Sequence, residues 1–394
     1  MSTTKADQMK TANVVLIILF VALIWLPTID TLFSIDDAPR LSENRAMATK
    51  PVFTGLANTK EYLAGLELYF NDHFGYRKMF VRMQSSWKRK LFGETSVSVA
   101  MIGRDGWLYT TVNRMIENYT GLSRFTVEDL AAWQVLLEAR RDWLQKRGIA
   151  YVVVVTPDKH TIYPEHLPQW LRPAPGPTKL DQWLEYLQQH SALHPLDLRS
   201  VLLKAKNEHA VYLMTDTHWN SLGAFLGYQQ LIQEISRQVP TVQPLPATSF
   251  TQQPISGLKG DLAVLLGQES SFPEKQATFM VSAPNLPKLQ IEEAMLQAGE
   301  KHVSITRTHN PQAIGSAIVF RDSFGAAWIP FLGYNFREVI FLNQREFDTA
   351  LIEKEKPLIV IDQIVERIVN TYDPIRLMAN DGIVGQRGAT GQSR

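Results

Sequence analysis

The run Tyr151-Val152-Val153-Val154-Val155 decides the fold class of this chain. It follows a predicted amphipathic helix over residues 126–147, which Gly148 ends, and a proline-containing loop begins at Pro157. A strand that is apolar at every position is typical of a sheet covered by helices on both faces. The order of helix, buried strand and loop therefore predicts an α/β fold.

Three further apolar runs predict strands of the same sheet. They cover residues 313–320, 338–342 and 358–361. With the helices predicted between them, they indicate a mainly parallel sheet flanked by helices. Residues 240–312 are rich in glutamine, proline and serine, and we expect this stretch to be an insertion packed beside the sheet.

The composition excludes several classes of protein. The chain has 394 residues, and with 45% of them hydrophobic it does not have the composition of a disordered chain. Its net charge of +1 gives no general attraction to nucleic acid, so we predict no nucleic-acid partner. The absence of cysteine excludes disulfides, thiolate metal ligands and a cysteine nucleophile. A mean hydropathy of −0.12 excludes a polytopic membrane protein.

The segment Val14–Leu26 is an unbroken apolar run close to the N-terminus, preceded by Lys5 and Lys10. A short basic head before an apolar core is typical of an export signal whose start stays in the cytoplasm. An uncleaved anchor needs about 20 mostly apolar residues. A cleaved signal peptide and a buried core helix are the alternatives. We predict the anchor, because no small-x-small cleavage site is evident.

The predicted organisation follows from these segments. It consists of a cytoplasmic tip and membrane-spanning segment over residues 1–35, a tether over 36–60, a folded domain over 61–375 and a disordered tail over 376–394. We expect a single-pass protein of a cell inner membrane. Its folded domain would then face the periplasm.

Two short segments carry the polar residues of a candidate site. One contains Asp216 and His218, and the other places Ser323 shortly after the strand that ends at Phe320. A serine hydroxyl is a poor nucleophile until a base takes its proton. His218 is suited to be that base, and Asp216 can orient the imidazole. If Ser323 opens a helix, its own N–H can stabilise an oxyanion.

Other interpretations of the same residues stay open when spacing is considered alone. A serine after a strand is most often a helix N-cap. The pair of Asp216 and His218 can also lie in an exposed turn or bind a metal, which needs a third and a fourth ligand. His160 and His166 are the candidates, but they lie in a proline-containing loop. We therefore predict no metal.

Several motifs occur together, in a fixed order. Asp216-Thr217-His218-Trp219-Asn220 precedes Asp322-Ser323-Phe324-Gly325. Four further pieces are Phe70–Arg77, Gly103–Tyr109, Pro157–Pro164 and Gly260–Ala263, with Glu366-Arg367 near the end. Over about residues 40–370, the chain resembles the alginate O-acetyltransferase family of the AlgX and AlgJ type. Its catalytic domain is SGNH-hydrolase-like, with the order of the catalytic segments reversed.

The resemblance implies roles for individual residues. Ser323 would be the nucleophile, His218 the base and Asp216 its orienter. Arg321 departs from the pattern, because a glycine often stands there, and Asp322 is expected to bond the backbone of a turn. The candidate oxyanion or substrate contacts are Tyr163, Asn335, Arg337 and Trp219. For Tyr163, Asn335 and Arg337 we favour a structural role over a catalytic one, and for Trp219 we favour core packing over sugar stacking.

The resemblance also implies a function. The chain would be an O-acetyltransferase that passes an acetyl group through acyl-Ser323 onto hydroxyls of an exported polysaccharide, alginate or another. A membrane-bound O-acyltransferase partner would supply the acetyl group, and no cofactor is expected. The alternatives are a carbohydrate acetyl esterase with the same three residues and a non-catalytic polysaccharide-binding or assembly protein.

Overall fold

The computed structural model describes residues 5–33, 35, 48–53, 55, 58–76, 79–80, 100–173, 175–266, 268–274, 278–298 and 301–383. Most of the predicted tether and residues 384–394 of the predicted tail lie outside this range. The chain divides into two compact units. The first comprises residues 1–97 with 263–272, and the second comprises residues 98–262 with 273–394.

The first unit contains the apolar N-terminal segment as one long helix, α1 (Lys5–Phe33). Its stretch Asn13–Asp30 has a mean hydropathy of 2.2 and is almost wholly exposed. Eighteen residues of helix are about 27 Å long, close to the thickness of the hydrocarbon core. By length and composition, this segment is therefore a single helix that can cross a membrane. A second helix, α2 (Thr59–His73), belongs to the same unit.

The second unit contains the remaining helices and all the described strands. The strands are β1 (Ala100–Ile102), β2 (Leu108–Thr110), β3 (Ala150–Thr156), β4 (Leu196–Asp197), β5 (Thr251–Ile255), β6 (Thr278–Ser282), β7 (Gln290–Ala298), β8 (Lys301–His309), β9 (Ser316–Phe320), β10 (Glu338–Leu342) and β11 (Ile359–Val365). The helices are α3 (Met115–Tyr119), α4 (Val127–Gln145), α5 (Lys159–Ile162), α6 (Lys179–His190), α7 (Arg199–Ala205), α8 (Ser221–Gln238), α9 (Asp261–Leu265), which runs across the boundary of the two units, α10 (Ile329–Leu332), α11 (Thr349–Glu355), α12 (Glu366–Val369) and α13 (Pro374–Asp381).

The main sheet has the strand order β4-β3-β11-β9-β10-β8-β7. Its first five strands are parallel to one another. The hairpin β7–β8 joins β10 in antiparallel orientation and forms one edge. The predicted α/β fold with a mainly parallel sheet is confirmed, and the antiparallel edge is an addition that no strand pattern in residues 240–312 predicts.

The central strands are buried on both faces, as their apolar runs predict. In β3, Val152 and Val154 pack into one core, and Val153 and Val155 pack into the other. Helices α7 and α8 cover the first face, and α4, α6, α11 and α13 cover the second. Capping boxes at Thr126 and Thr178 begin α4 and α6, because each threonine accepts from the N–H three residues on.

The C-terminal region differs from the sequence expectation. Residues 374–381, most of which fall in the predicted disordered tail, form the helix α13. Asp381 at its end is 2% exposed and is ion-paired to Arg140 of α4. A buried carboxylate needs such a partner, and the partner lies 241 residues away in the sequence. Local composition therefore gives no sign of this contact.

Candidate active site

Ser323 lies at the carboxyl edge of the sheet, three residues after the end of β9. It is exposed and has helical backbone angles, φ −62° and ψ −30°, directly before a 3₁₀ turn over Phe324–Trp328. Among the residues that the structure describes, its backbone N–H has no hydrogen-bond partner. The candidate nucleophile and a free donor for an oxyanion therefore occur in the same residue.

His218 connects this serine to a carboxylate. Its Nε2 lies 2.8 Å from the Ser323 Oγ, and its Nδ1 lies 2.7 Å from the Asp216 Oδ1. The His218 N–H also donates to the Asp216 Oδ1, at 2.8 Å. Burial acts to raise the pKa of the Asp216 carboxyl, but the hydrogen bonds and charge of His218 outweigh it and hold this pKa below its ordinary value. The sequence-predicted Ser323, His218 and Asp216 thus form one continuous hydrogen-bonded chain.

The turn that carries Asp216 and His218 is held by buried polar groups. The Lys159 ammonium donates to the carbonyls of Leu213, Met214 and Asp216, at 3.1, 3.0 and 2.5 Å. Burial lowers the pKa of Lys159 to about 7. Asn220 caps α8 by accepting from the N–H of Gly223. His218 is therefore fixed between an anchored loop and a helix start.

The turn before Ser323 is fastened to the neighbouring strand by Asp322. Its carboxylate accepts from the N–H of Phe324 at 2.9 Å and from that of Val365 at 2.8 Å. Gln363 of β11 accepts from the Asp322 N–H and donates to the Asp322 Oδ1. A Cβ at Gly325 would lie 2.7 Å from the Gln363 Oε1, so this turn also needs a glycine. The predicted turn role of Asp322 is what the geometry supports.

The Phe324 ring packs directly under the imidazole. The ring centroids of Phe324 and His218 are 5.0 Å apart. Trp219 donates its Nε1–H to the Phe324 carbonyl at 3.3 Å. The Arg367 guanidinium lies 5.2 Å from the Phe324 ring centroid and is ion-paired to Asp158. The aromatic layer therefore limits the directions in which His218 can turn.

A second carboxylate lies against the same histidine. The Asp261 Oδ2 is 3.6 Å from the His218 Nδ1, the Asp261 Oδ1 accepts from the Thr217 N–H at 2.6 Å, and the Asp261 N–H donates to the Asp216 Oδ2 at 2.8 Å. Spacing does not reveal this residue, because it belongs to the unassigned stretch 240–312. The only signal is the Gly260-Asp261 pair among the motifs of the resemblance.

The four other candidate contacts have different partners. Tyr163 is buried, and its hydroxyl accepts from the Val211 N–H. Trp219 is 4% exposed and packs on the Phe324 and Trp328 rings, so its contacts fit core packing rather than sugar stacking. Asn335 bridges the Tyr228 hydroxyl and the Gln243 carbonyl. These side chains therefore serve the core and not the hydrogen-bonded chain of Ser323.

Arg337 lies at the amino ends of the parallel strands, whereas Ser323 lies at their carboxyl ends. It directly precedes β10, whereas Ser323 follows the end of β9, and these two strands are parallel with Glu338 beside Ser316. Five residues of strand correspond to roughly 17 Å. Parallel pairing therefore separates Arg337 from Ser323, which the sequence alone cannot reveal.

Two groups of carboxylate and imidazole side chains lie close enough to share an ion: Asp216, His218 and Asp261, and also Asp158, His160 and Glu366. In the second group, the Asp158 carboxylate accepts from the backbone N–H and the guanidinium of Arg367, and Glu366 accepts from the Thr161 hydroxyl. Burial and the charge of Asp158 raise the pKa of Glu366 to about 7. The carboxylates of both groups thus already accept hydrogen bonds from neighbouring protein groups.

A groove of about 760 Å³ begins next to the site. Ala326 and Ala327, one turn beyond Ser323, form one wall, and Trp219 and Asn220 belong to its lining. A 3₁₀ turn rises about 6 Å. The rest of the lining is mostly apolar, with Lys288 as its charged residue. The groove therefore offers space for a ligand beside the two segments that carry His218 and Ser323.

Comparisons with known proteins show the family of this chain. A family model described as "SGNH hydrolase-like domain, acetyltransferase AlgX" matches residues 100–303, a little more than half of the chain. A probable alginate O-acetylase AlgJ of Pseudomonas syringae is 30% identical over 207 residues, covering 52% of this chain and 51% of the relative. The corresponding Pseudomonas aeruginosa protein is 29% identical over 237 residues, covering 58% and 57%. The chain thus spans about half the length of these relatives.

A solved structure shares the fold. PatB1 of Bacillus cereus aligns with 70% of this chain and 98% of its own, with a TM-score of 0.52 and 16% identity. At that identity the likeness concerns the fold alone. The family match includes Asp216, His218 and Asp261 but ends before Ser323. The hydrogen bond between His218 and Ser323 connects the matched segment to this serine.

Proposed function

Because the chain belongs to the family of SGNH hydrolase-like acetyltransferases of the AlgX type, we propose that it is an O-acetyltransferase that acts on the hydroxyls of an exported polysaccharide. The observation that carries the proposal is the chain of hydrogen bonds from Asp216 through His218 to Ser323, at 2.7 and 2.8 Å. Nucleophile, base and orienter are thereby in reach of one another in the absence of substrate.

The proposed reaction has two halves. In the first, the Ser323 Oγ attacks the carbonyl carbon of the acetyl donor while the His218 Nε2 takes the serine proton. The Ser323 N–H stabilises the oxyanion, and collapse breaks the bond to the leaving group, which receives the proton from His218. In the second half, a sugar hydroxyl gives its proton to His218 and attacks the acetyl-serine. Collapse then returns the proton to the Ser323 Oγ and releases the acetylated sugar.

The acceptor is proposed to lie in the groove beside Ser323. The relatives named above are called alginate O-acetylases, and alginate is a polymer of uronic acids. A chain of this kind carries a carboxylate on every sugar. Lys288 is exposed and shares no ion pair within the described part of the chain. Its charge is suited to a sugar carboxylate, while the apolar walls can contact the sugar ring faces.

The charge of Lys288 gives a first prediction. For Lys288→Glu, we expect the KM for an anionic oligosaccharide acceptor to rise about 5-fold, corresponding to about 1 kcal/mol for an exposed charge. Initial rates of acetyl transfer over a range of acceptor concentrations measure this change. Lys354→Glu is the matched control, because Lys354 is an exposed lysine on α11, which packs on the other face of the sheet. Equal KM values for the two variants would contradict this placement of the acceptor.

The donor side of the proposal depends on the N-terminal helix. We place α1 across a cell inner membrane, with the second unit in the periplasm. A membrane-bound O-acyltransferase would deliver the acetyl group across that membrane. Tethering Ser323 to the same membrane raises the effective concentration of the donor at the site. Partner, membrane and orientation are parts of the proposal and rest on the family and on the apolar helix.

One experiment separates the candidate functions. The full-length chain in detergent is incubated with p-nitrophenyl acetate, with and without an oligouronate acceptor, and the products are followed by intact mass. An acetyl-sized adduct on Ser323 that moves to the sugar supports the transferase. An adduct released only as acetate favours the esterase. Absence of both adduct and turnover would favour a non-catalytic polysaccharide-binding protein.

A further inference from the structure

Asp261 contacts three consecutive residues of the turn that carries the candidate base, Asp216, Thr217 and His218. Its Oδ1 accepts from the Thr217 N–H at 2.6 Å, its N–H donates to the Asp216 Oδ2 at 2.8 Å, and its Oδ2 lies 3.6 Å from the His218 Nδ1. The imidazole nitrogen that faces Asp216 is therefore faced by a second carboxylate as well. Serine-histidine-aspartate sites need only one such carboxylate.

The residue before Asp261 is what permits this approach. A Cβ on Gly260 would lie 2.1 Å from the carbonyl carbon and oxygen of Thr215, and 2.5 Å from the Asp216 N. Real Cβ atoms do not come so close to backbone, and the backbone cannot move aside as a flexible side chain can. The Gly260-Asp261 pair is thus pressed directly on the turn 215–218. The stretch 240–312 thereby supplies a polar group to the site.

Other charged groups around His218 have separate partners. They are Lys159, which donates to the Asp216 carbonyl; Glu274, which accepts from the Thr215 N–H and hydroxyl; and Arg367, which lies across the Phe324 ring and pairs with Asp158. None of these three is ion-paired to the imidazole within the described residues. Asp216 and Asp261 are the groups that face its Nδ1.

We propose that Asp261 is a positioning residue of the acyl-transfer site, a second carboxylate that holds the Asp216 carboxylate in place and stabilises the His218 imidazolium. The expected effect on the rate of acetyl transfer rests on the proposed function. The expected effect of the Asp261 charge on the His218 imidazolium does not. When His218 takes a proton from Ser323 or from the sugar hydroxyl, the positive charge forms between two carboxylates. The transition state for proton transfer is stabilised accordingly.

The sign of the effect on His218 follows from charge. A nearby negative charge stabilises an imidazolium relative to the neutral imidazole. Removal of the Asp261 charge therefore destabilises the imidazolium of His218 relative to the neutral ring. Because His218 must be neutral to accept the serine proton, the acid limb of the pH profile moves to lower pH. Burial, and next the charge of Asp216, raises the pKa of the Asp261 carboxyl. As the pH falls, Asp261 therefore loses its negative charge before Asp216 does.

Asp261→Asn tests the proposal with little change of shape. The amide oxygen can still accept from the Thr217 N–H, and the backbone N–H still donates to Asp216. We expect the acid limb of the rate of acetyl transfer to move down by about 1 pH unit, and the plateau rate to fall about 10-fold. The matched control is Glu274→Gln, which removes a charge from the same turn but at Thr215. There we expect a smaller shift of the pH profile.

A measurement without substrate separates this proposal from the proposed function. The full-length chain in detergent is labelled with ¹³C-histidine, and the His218 resonance, assigned by its loss in His218→Ala, is titrated in wild type and in Asp261→Asn. A fall of the His218 pKa supports the proposal even if no acceptor is ever acetylated. Identical His218 titration curves, together with a native far-UV spectrum, would overturn it and leave Asp261 a purely structural residue.

A second variant covers the case in which asparagine disturbs the fold. Asp261→Ser keeps a short acceptor for the Thr217 N–H and removes the charge. If Asp261 acts only through that hydrogen bond, serine and asparagine retain the wild-type His218 pKa, and the proposal fails. If its charge acts on the imidazole, both variants lower that pKa by a similar amount.

Discussion

Replacing Ser323 by alanine will abolish acetyl transfer while leaving the fold intact. The Ser323 side chain is exposed, and its Oγ hydrogen-bonds to the His218 Nε2 at 2.8 Å. Alanine therefore creates no cavity and leaves no buried group unpaired, so we expect the unfolding free energy to stay within about 0.5 kcal/mol of wild type. The nucleophile itself is lost, and the rate should fall by at least about 10⁴-fold.

Three measurements check this expectation. Intact mass reports the acetyl adduct, which must disappear. The initial rate of transfer to an oligouronate gives the loss, and thermal unfolding of the full-length chain gives the stability. An acetyl adduct that persists on the alanine variant would place the nucleophile elsewhere and remove Ser323 from the mechanism.

The partners of Ser323 should lose activity in a defined pattern. His218→Ala should cost about as much as Ser323→Ala, and the double variant should cost no more than either, because the two residues act as one unit. Asp216→Ala should give a large but incomplete loss. Asp261 still faces the imidazole in that variant, so Asp216→Ala combined with Asp261→Asn should lose more activity than Asp216→Ala alone.

The parts of this site that the sequence predicts are those set by local pattern and by motif. A run of β-branched residues gives β3, and the position of Ser323 after another apolar run gives the edge of the sheet. Asp216 and His218 are two residues apart, so one turn presents both. The family motifs then select these residues from several alternatives. Such features need no knowledge of which distant segments meet.

The parts that the sequence does not predict depend on contacts between distant segments. Asp261 reaches His218 because Gly260 allows close backbone contact, and no periodicity marks that pair. Arg337 lies at the wrong edge because β9 and β10 are parallel. The strand β11 continues past the predicted end at 361 through Asp362 and Gln363, which are fully buried. These two polar residues interrupt the apolar run, so the pattern predicts that the strand ends there. The strand continues because distant segments supply their hydrogen-bond partners.

Those buried polar residues of β11 connect stability to the site. Arg140 of α4 is 2% exposed, and its guanidinium bonds Asp362 at 2.7 Å and Asp381 at 2.7 and 3.0 Å. It also donates to the Arg345 carbonyl, at 2.9 Å. The next residue after Asp362 is Gln363, which holds the Asp322 turn before Ser323. The buried Arg140 guanidinium thus joins α4, α13 and β11, the strand that supports the turn before Ser323.

Replacing Arg140 by leucine should therefore strongly destabilise the fold. It would leave the Asp362 and Asp381 carboxylates buried without the cation that bonds both, and breaking a buried ion pair in this way costs about 3–5 kcal/mol. For a chain of this size we expect the Tm to fall by roughly 6–15 °C. Acetyl transfer should fall as well at temperatures near the new transition, because β11 supports the Ser323 turn.

The same substitution on the surface is the control. Arg237 pairs with Glu234 at 2.5 Å within α8, and its side chain is 71% exposed, so Arg237→Leu should change stability by no more than about 0.5 kcal/mol. A triple variant that replaces Arg140, Asp362 and Asp381 by leucine should regain part of the stability lost in Arg140→Leu, since an apolar core removes the unpaired charges. A Tm for Arg140→Leu equal to that of Arg237→Leu would mean that water or Arg345 already compensates these two carboxylates. The buried network would then be neutral to folding.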